Sequence, residues 1–184
     1  MSKYIFAMAL FIVGLVGGVG FGYYLTPQYQ ETMYTKSMDL GTADRLVDLR
    51  YVNAMIAHHR GAILLAEQVA QSSRQDIRSL ATAIQADEPK LIAELYAWKK
   101  AWYSDTRGVR DPARIQLGSM DEKQDLRFLN TLIAHHEAGI AMTREIRAKS
   151  SRTEVLNNAD AVEQFLQTTL VTLKDWRQTW YSVN

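Results

Sequence analysis

The chain has 184 residues, enough for one domain of ordinary size, and 47% of them are hydrophobic. Its net charge is +1, from 21 basic and 20 acidic residues, so it lacks the basic surplus by which proteins bind nucleic acid. The absence of cysteine excludes disulfides, thiolate metal sites and cysteine nucleophiles.

The first predicted element is a transmembrane helix. Residues 4–25 carry no charge and are almost wholly apolar, a run long enough to cross a bilayer. Lys3 precedes the run and the next basic residue is Lys36, which places the amino terminus in the cytoplasm. Bulky residues at 23–25 argue against cleavage as a signal peptide. We therefore predict an anchor over 1–25, a single pass through a bacterial inner membrane, with the rest of the chain in the periplasm.

Three glycines within the apolar run, Gly14, Gly18 and Gly22, recur at intervals of four residues on one helix face. Small residues at this spacing let two transmembrane helices approach closely, although glycine is also common in membrane helices generally. The spacing predicts a packing face for a second copy of the chain or for a membrane-protein partner. Residues 26–41 follow as a polar tether.

The remainder, residues 42–184, is an internal duplication with copies over 42–103 and 119–182. The copies align on two His-His doublets, and each closes on two tryptophans four residues apart. Each copy has two arms whose apolar residues recur every three or four positions, as in an amphipathic helix. Two such helical hairpins predict an all-α fold, a four-helix bundle whose halves are joined by a long connection.

All four histidines stand in the doublets, His58-His59 and His135-His136. Imidazole is the commonest side-chain metal ligand. Successive helical residues point about 100° apart, so the two rings of a doublet cannot share one direction. The periodicity assigns His59 and His136 to the inward stripe and His58 and His135 to its flank. The pattern predicts one metal site shared by both doublets, with four ordinary core histidines as the alternative.

Each copy supplies one methionine near its doublet: Met55 comes three residues before His58, and Met142 seven residues after His135. Nitrogen with thioether sulfur and no thiolate favours copper, whereas zinc gains little from methionine. The alternative for both methionines is core packing. Glu88, on the inward stripe of the second arm, is a candidate ligand or a hydrogen-bond partner of one. Copper is the predicted cofactor, with zinc or no metal as alternatives.

The residues beside the doublets do not predict catalysis. A di-iron site would need a glutamate three residues before each ligating histidine, and those positions hold Met55 and Leu132. The doublets have no obvious general acid or nucleophile beside them, because Glu137, which follows His136, is expected to face solvent. The sequence therefore favours a metal-binding protein, and a metal-dependent enzyme is the least favoured interpretation. The alternative is an accessory subunit of an inner-membrane complex, docked through the transmembrane helix, with or without metal.

Both copies resemble the family called domain of unknown function 305 (DUF305). The resemblance rests on an aspartate, an aromatic residue, the doublet, a methionine, small residues and a closing tryptophan. These are Asp48, Tyr51, Met55, His58-His59, Gly61-Ala62-Ile63 and Trp98, then Asp125, Phe128, His135-His136, Ala138, Ile140, Met142 and Trp176. It implies a ferritin-like four-helix fold, export from the cytoplasm and copper handling. The chain departs from the family pattern at Leu65 and Leu132, where methionine is expected.

Overall fold

The computed structural model describes residues 39–183, which are helical and without strands. The four helices are α1 (Val47–Ala66, extended by a 3-10 turn over Glu67–Val69), α2 (Gln75–Tyr103), α3 (Gln124–Arg147) and α4 (Thr153–Tyr181). The prediction of an all-α bundle with two helices in each copy is confirmed. The predicted anchor, its glycine face and most of the tether lie outside the described residues. Between residues 39 and 183 no helix is long and apolar enough to span a bilayer.

Each copy forms a helical hairpin, α1 with α2 and α3 with α4, and the hairpins meet through α1 and α3. The duplication extends to the turns that precede α1 and α3. Gly41 and Gly118 adopt left-handed φ angles of 64° and 78°, which glycine reaches without strain. Beside them, the guanidinium groups of Arg50 and Arg127 donate hydrogen bonds to the carbonyl groups of Leu40 and Leu117.

Two arginines join the ends of the outer helices α2 and α4. Arg152, just before α4, lies 4.3 Å from the ring centroid of Trp102 near the end of α2, and its Nε is 3.2 Å from Asp48. At the opposite end Arg74, just before α2, lies 4.5 Å from the ring centroid of Trp180. The beginning of each outer helix is thus held to the end of the other, which makes α2 and α4 antiparallel.

The buried apolar side chains form two clusters along the bundle. One contains Leu65, Leu132 and Phe128, and the other contains Tyr51 and Ile146. On α1 the second cluster ends at residue 56 and the first begins at residue 65. The doublet of α1 therefore lies between the clusters. Because the beginning of α1 packs in the same cluster as the end of α3, these two helices are antiparallel.

Candidate metal centre

The four histidines are all in the interior. His58, His59, His135 and His136 are 4%, 5%, 2% and 5% exposed. The sequence periodicity separated an inward pair from a flanking pair, but the structure buries both. The helices that carry the doublets, α1 and α3, each pack against two neighbouring helices. Each therefore has two buried stripes, and these include both histidines of its doublet.

His58 and His135, the predicted flanking pair, meet across the α1–α3 interface. Their rings are stacked with centroids 3.8 Å apart and planes 5° from parallel. Gly139 provides the room, because a Cβ atom there would stand 2.8 Å from Nε2 of His58 and 2.6 Å from Cδ1 of Leu166. At Gly61 an added Cβ atom would stand 3.3 Å from Cε1 of His135, so this position is less crowded than Gly139. The small residues after each doublet thus allow the rings to overlap.

The second histidine of each doublet has a different environment in each copy. Nδ1 of His59 is hydrogen-bonded to Oε2 of Glu88 on α2, a largely buried carboxylate. When His59 is neutral, its Nδ1–H donates to this oxygen and Nε2 keeps the lone pair. The position that corresponds to Glu88 in the second copy is Leu166, so His136 has no carboxylate partner. Glu88, predicted as a metal ligand or as a hydrogen-bond partner of one, is here the hydrogen-bond partner of His59.

The rings of His58, His59, His135 and His136 are neighbours in the middle of the bundle and are called here the histidine layer. Several ring nitrogens in this layer are buried without a hydrogen bond. They are Nδ1 of His58, Nδ1 of His135 and both nitrogens of His136, although the backbone carbonyl of Leu132 lies near one of the latter. Leaving a buried polar group unpaired costs about 1–3 kcal/mol, and most such groups in native proteins have a partner. Unsatisfied ring nitrogens on three histidines of one layer are therefore better explained by a ligand than by core packing.

Burial favours the neutral form of His58, His135 and His136. It lowers the pKa of His135 to about 3 and that of His136 to about 4, and it places the pKa of His58 well below its ordinary value. The neighbouring imidazoles add to the shift at His58 and His135, because two adjacent rings resist carrying charge together. At neutral pH the ring nitrogens that lack protons keep their lone pairs, which metal ligation requires.

The two methionines lie on one side of the histidine layer. Met55 and Met142 are buried in the same apolar cluster, whereas Leu65 and Leu132 belong to the other. In the sequence the methionines flank their doublets from opposite directions. The antiparallel arrangement of α1 and α3 brings them together. Both thioethers are thus at one side of the layer and both leucines at the other.

A cleft opens between α2 and α4 above the histidines. It has a volume of about 710 Å³, and all four histidines and Glu88 line it. Along the rest of its length the walls are mostly apolar. Its lining residues include Ile84 and Leu91 on α2, and Val162 and Phe165 on α4. The cleft gives the histidine layer a route to the surface.

The side chains do not form a complete metal site as they stand. Across residues 39–183 no group of three or more histidine or carboxylate side chains is arranged to hold a metal ion. The overlapped rings of His58 and His135 direct their faces, not their nitrogens, at each other. Ligation by this pair requires rotation of at least one ring about its side-chain torsions.

The chain belongs to the DUF305 family. The family pattern, described only as a domain of unknown function, matches residues 48–125 and again 125–184. Among solved structures the chain is similar to the protein CopM. The Cu(I)-bound form is 26% identical with a TM-score of 0.65, and the apo form is 25% identical with a TM-score of 0.64. The matches cover 73% of this chain and 97% and 98% of those chains. Comparison with curated proteins finds no significant match.

We expect the metal-free chain to lose stability in acid, because the buried imidazoles of the histidine layer resist protonation. In the folded state the pKa values of His58, His135 and His136 lie below the ordinary 6.5. Below about pH 6.5 the unfolded chain therefore binds more protons, and stability is lost as pH falls towards 4. Each such histidine contributes at most about 1.4 kcal/mol per pH unit.

We expect the free energy of unfolding to fall by at least about 2 kcal/mol between pH 7 and pH 5. Urea denaturation followed by circular dichroism measures it. The substitution His136→Leu should make the pH dependence shallower. Equal stability at pH 7 and pH 5 would contradict the burial of neutral imidazoles.

The substitution Gly139→Ala should destabilise the bundle by about 1–3 kcal/mol, because the new methyl group overlaps both His58 and Leu166. Gly61→Ala is the matched control on α1. Its added methyl is less crowded and helix propensity favours alanine, so its effect should stay within about 1 kcal/mol. Thermal unfolding of the two variants compares them. A larger loss for Gly61→Ala would show that the ring packing is not as described.

Proposed function

We propose that the chain is a membrane-anchored copper-binding protein whose metal site is the histidine layer completed by Met55 and Met142. The observation that carries the proposal is the set of buried ring nitrogens without hydrogen bonds at the floor of one cleft. The two methionines add soft donors on one side of that layer. A buffer, chaperone or resistance role requires this binding and no catalytic group.

The donor chemistry selects copper over zinc. Imidazole suits several transition metals, but thioether sulfur favours Cu(I), and the chain has no cysteine to supply thiolate. Zinc would use the imidazoles alone. The similarity to CopM supports the same metal, because CopM has been solved in Cu(I)-, Cu(II)- and silver-bound forms. Silver(I) is a soft ion that also favours sulfur and nitrogen donors.

Each histidine has a distinct part in the proposed site. His136 offers the ring nitrogen that does not face the backbone of Leu132, and His58 and His135 each offer Nδ1. Glu88 fixes the ring of His59 and directs its lone pair to Nε2. Copper supplies a Lewis-acid centre that these neutral donors stabilise. Separation of the stacked rings of His58 and His135 would accompany binding.

The test is an anaerobic Cu(I) titration of the full chain against a competing chelator. Removal of two donors by His58→Ala with His135→Ala should weaken binding at least about tenfold. His136→Gln should weaken it without removing the stack, which guards against a folding defect. Met120→Leu is the control, because Met120 is exposed and outside the layer. Unchanged affinity in both folded histidine variants would exclude the layer as the copper site.

The cellular location is part of the proposal. The uncharged apolar run over 4–25, with Lys3 before it, supports a single anchor with the bundle in the periplasm. Gly14, Gly18 and Gly22 would then pack against a second copy or a membrane partner, as an accessory subunit would require.

The absence of cysteine allows a direct test of this topology. A single Ser2→Cys or Thr179→Cys substitution introduces the only thiol, and an impermeant maleimide reports its side of the membrane in spheroplasts. We expect labelling at position 179 in intact spheroplasts, and at position 2 only after lysis. Labelling of position 2 in intact spheroplasts, or protection of position 179, would contradict the proposed orientation.

A further inference from the structure

The cleft between α2 and α4 is much larger than a metal ion requires. Its volume of about 710 Å³ lies within the range of about 300–1,000 Å³ typical of sites for organic ligands. The histidines line only its floor. Most of the space is bounded by side chains that the copper site does not use.

The shape of the cleft favours a compact ligand. Arg152 with Trp102, and Arg74 with Trp180, join the outer helices at both ends. The cleft is therefore closed along its axis and open along one side. A partner helix, about 10–12 Å across with its side chains, could not pass through those ends. A small molecule could enter from the open side.

The walls of the cleft are apolar and remain partly exposed. Ile84 and Val162 line it, and at its mouth Leu91 and Phe165 are 40% and 61% exposed. Large apolar side chains grouped at the mouth of a cavity are typical of ligand sites and costly in contact with water. These walls would bury the hydrophobic part of a ligand.

The charges of the cleft are all of one sign. Its charged lining residues are Asp87, Glu88, Glu94 and Glu154, with no lysine or arginine among them. Glu88 is engaged by His59, and Asp87 is 2.7 Å from Nζ of Lys90. The carboxylates of Glu94 and Glu154 have no ion pair or hydrogen bond among residues 39–183.

These two free carboxylates lie towards the same end of the cleft as Trp98. Glu94 is one turn before Trp98 on α2, and Glu154 is in the first turn of α4, two residues after the arginine that packs on Trp102. One face of Trp98 is stacked on Trp102, with ring centroids 5.0 Å apart, and Arg152 at this end is already paired with Asp48. An indole ring and unpaired carboxylates are the groups that bind an organic cation, through cation–π attraction and charge. This end of the cleft therefore complements the positive part of a ligand.

We propose that the cleft binds an apolar organic cation, such as a quaternary ammonium or phosphonium compound. Its charge lies near Glu94, Glu154 and Trp98, and its hydrophobic groups lie along the walls between Ile84 and Phe165. This binding goes beyond copper binding and does not require metal.

The test uses tetraphenylphosphonium and tetraphenylborate, which share size and shape but carry opposite charges. Equilibrium dialysis of the metal-free full chain, in a fixed concentration of nonionic detergent, measures each probe against micelles without protein. We expect the cation to bind at least about tenfold more tightly than the anion. Equal binding of the two probes, or no binding of the cation, would overturn the proposal.

Two pairs of variants separate charge from shape. Glu94→Gln with Glu154→Gln should weaken cation binding at least about fivefold. Asp76→Asn with Asp175→Asn removes the same amount of charge from the same two helices, but at positions outside the cleft. This control should leave the affinity for the cation within about twofold of the wild-type value. Ala161→Phe places a bulky group on the wall of the cleft and should weaken cation binding at least about fivefold. Val171→Phe, on an exposed position of α4 outside the cleft, should leave cation binding within about twofold. Equal effects within either pair would contradict the site.

Discussion

The packing of α1 against α3 determines the rest of the structure. At its centre the rings of His58 and His135 overlap at 3.8 Å, a contact that requires the close approach permitted by Gly139. Because these two helices occupy the middle, α2 and α4 lie outside them and meet at few points. The cleft is thus a consequence of the same packing that buries the histidines. The candidate metal layer and its access route have one structural origin.

The duplication produces a bundle whose halves are similar but not equivalent. Glu88 orients His59, while the corresponding Leu166 leaves His136 without a carboxylate partner. The copies also differ in the position of methionine. Met55 corresponds to Leu132, and Met142 corresponds to Leu65. Antiparallel packing places both methionines in the apolar cluster on one side of the histidine layer and both leucines in the cluster on the other. In the proposed site, sulfur would reach the metal from one side only, and imidazole with thioether suits a soft ion such as Cu(I).

The sequence predicted the helices and the duplication, because a periodicity of three to four residues shows where amphipathic helices occur. It also identified the histidines and Glu88, which the structure brings to one layer. The stack of His58 on His135 was not predictable, because periodicity shows that a stripe is buried but not which neighbour covers it. The cleft was missed for a related reason. Leu91 has the spacing of a core residue on α2, and the separation of α2 from α4 leaves both Leu91 and Phe165 exposed.

The central claim is that imidazoles and thioethers of this layer bind the same copper ion. X-ray absorption spectroscopy at the copper edge of the Cu(I)-loaded chain measures the atoms around that ion. The account predicts imidazole nitrogen together with sulfur in the wild type, and loss of sulfur in the Met55→Leu, Met142→Leu double variant. Met120→Leu should leave the spectrum unchanged. A wild-type spectrum without imidazole, or sulfur that persists in the double variant, would contradict the account.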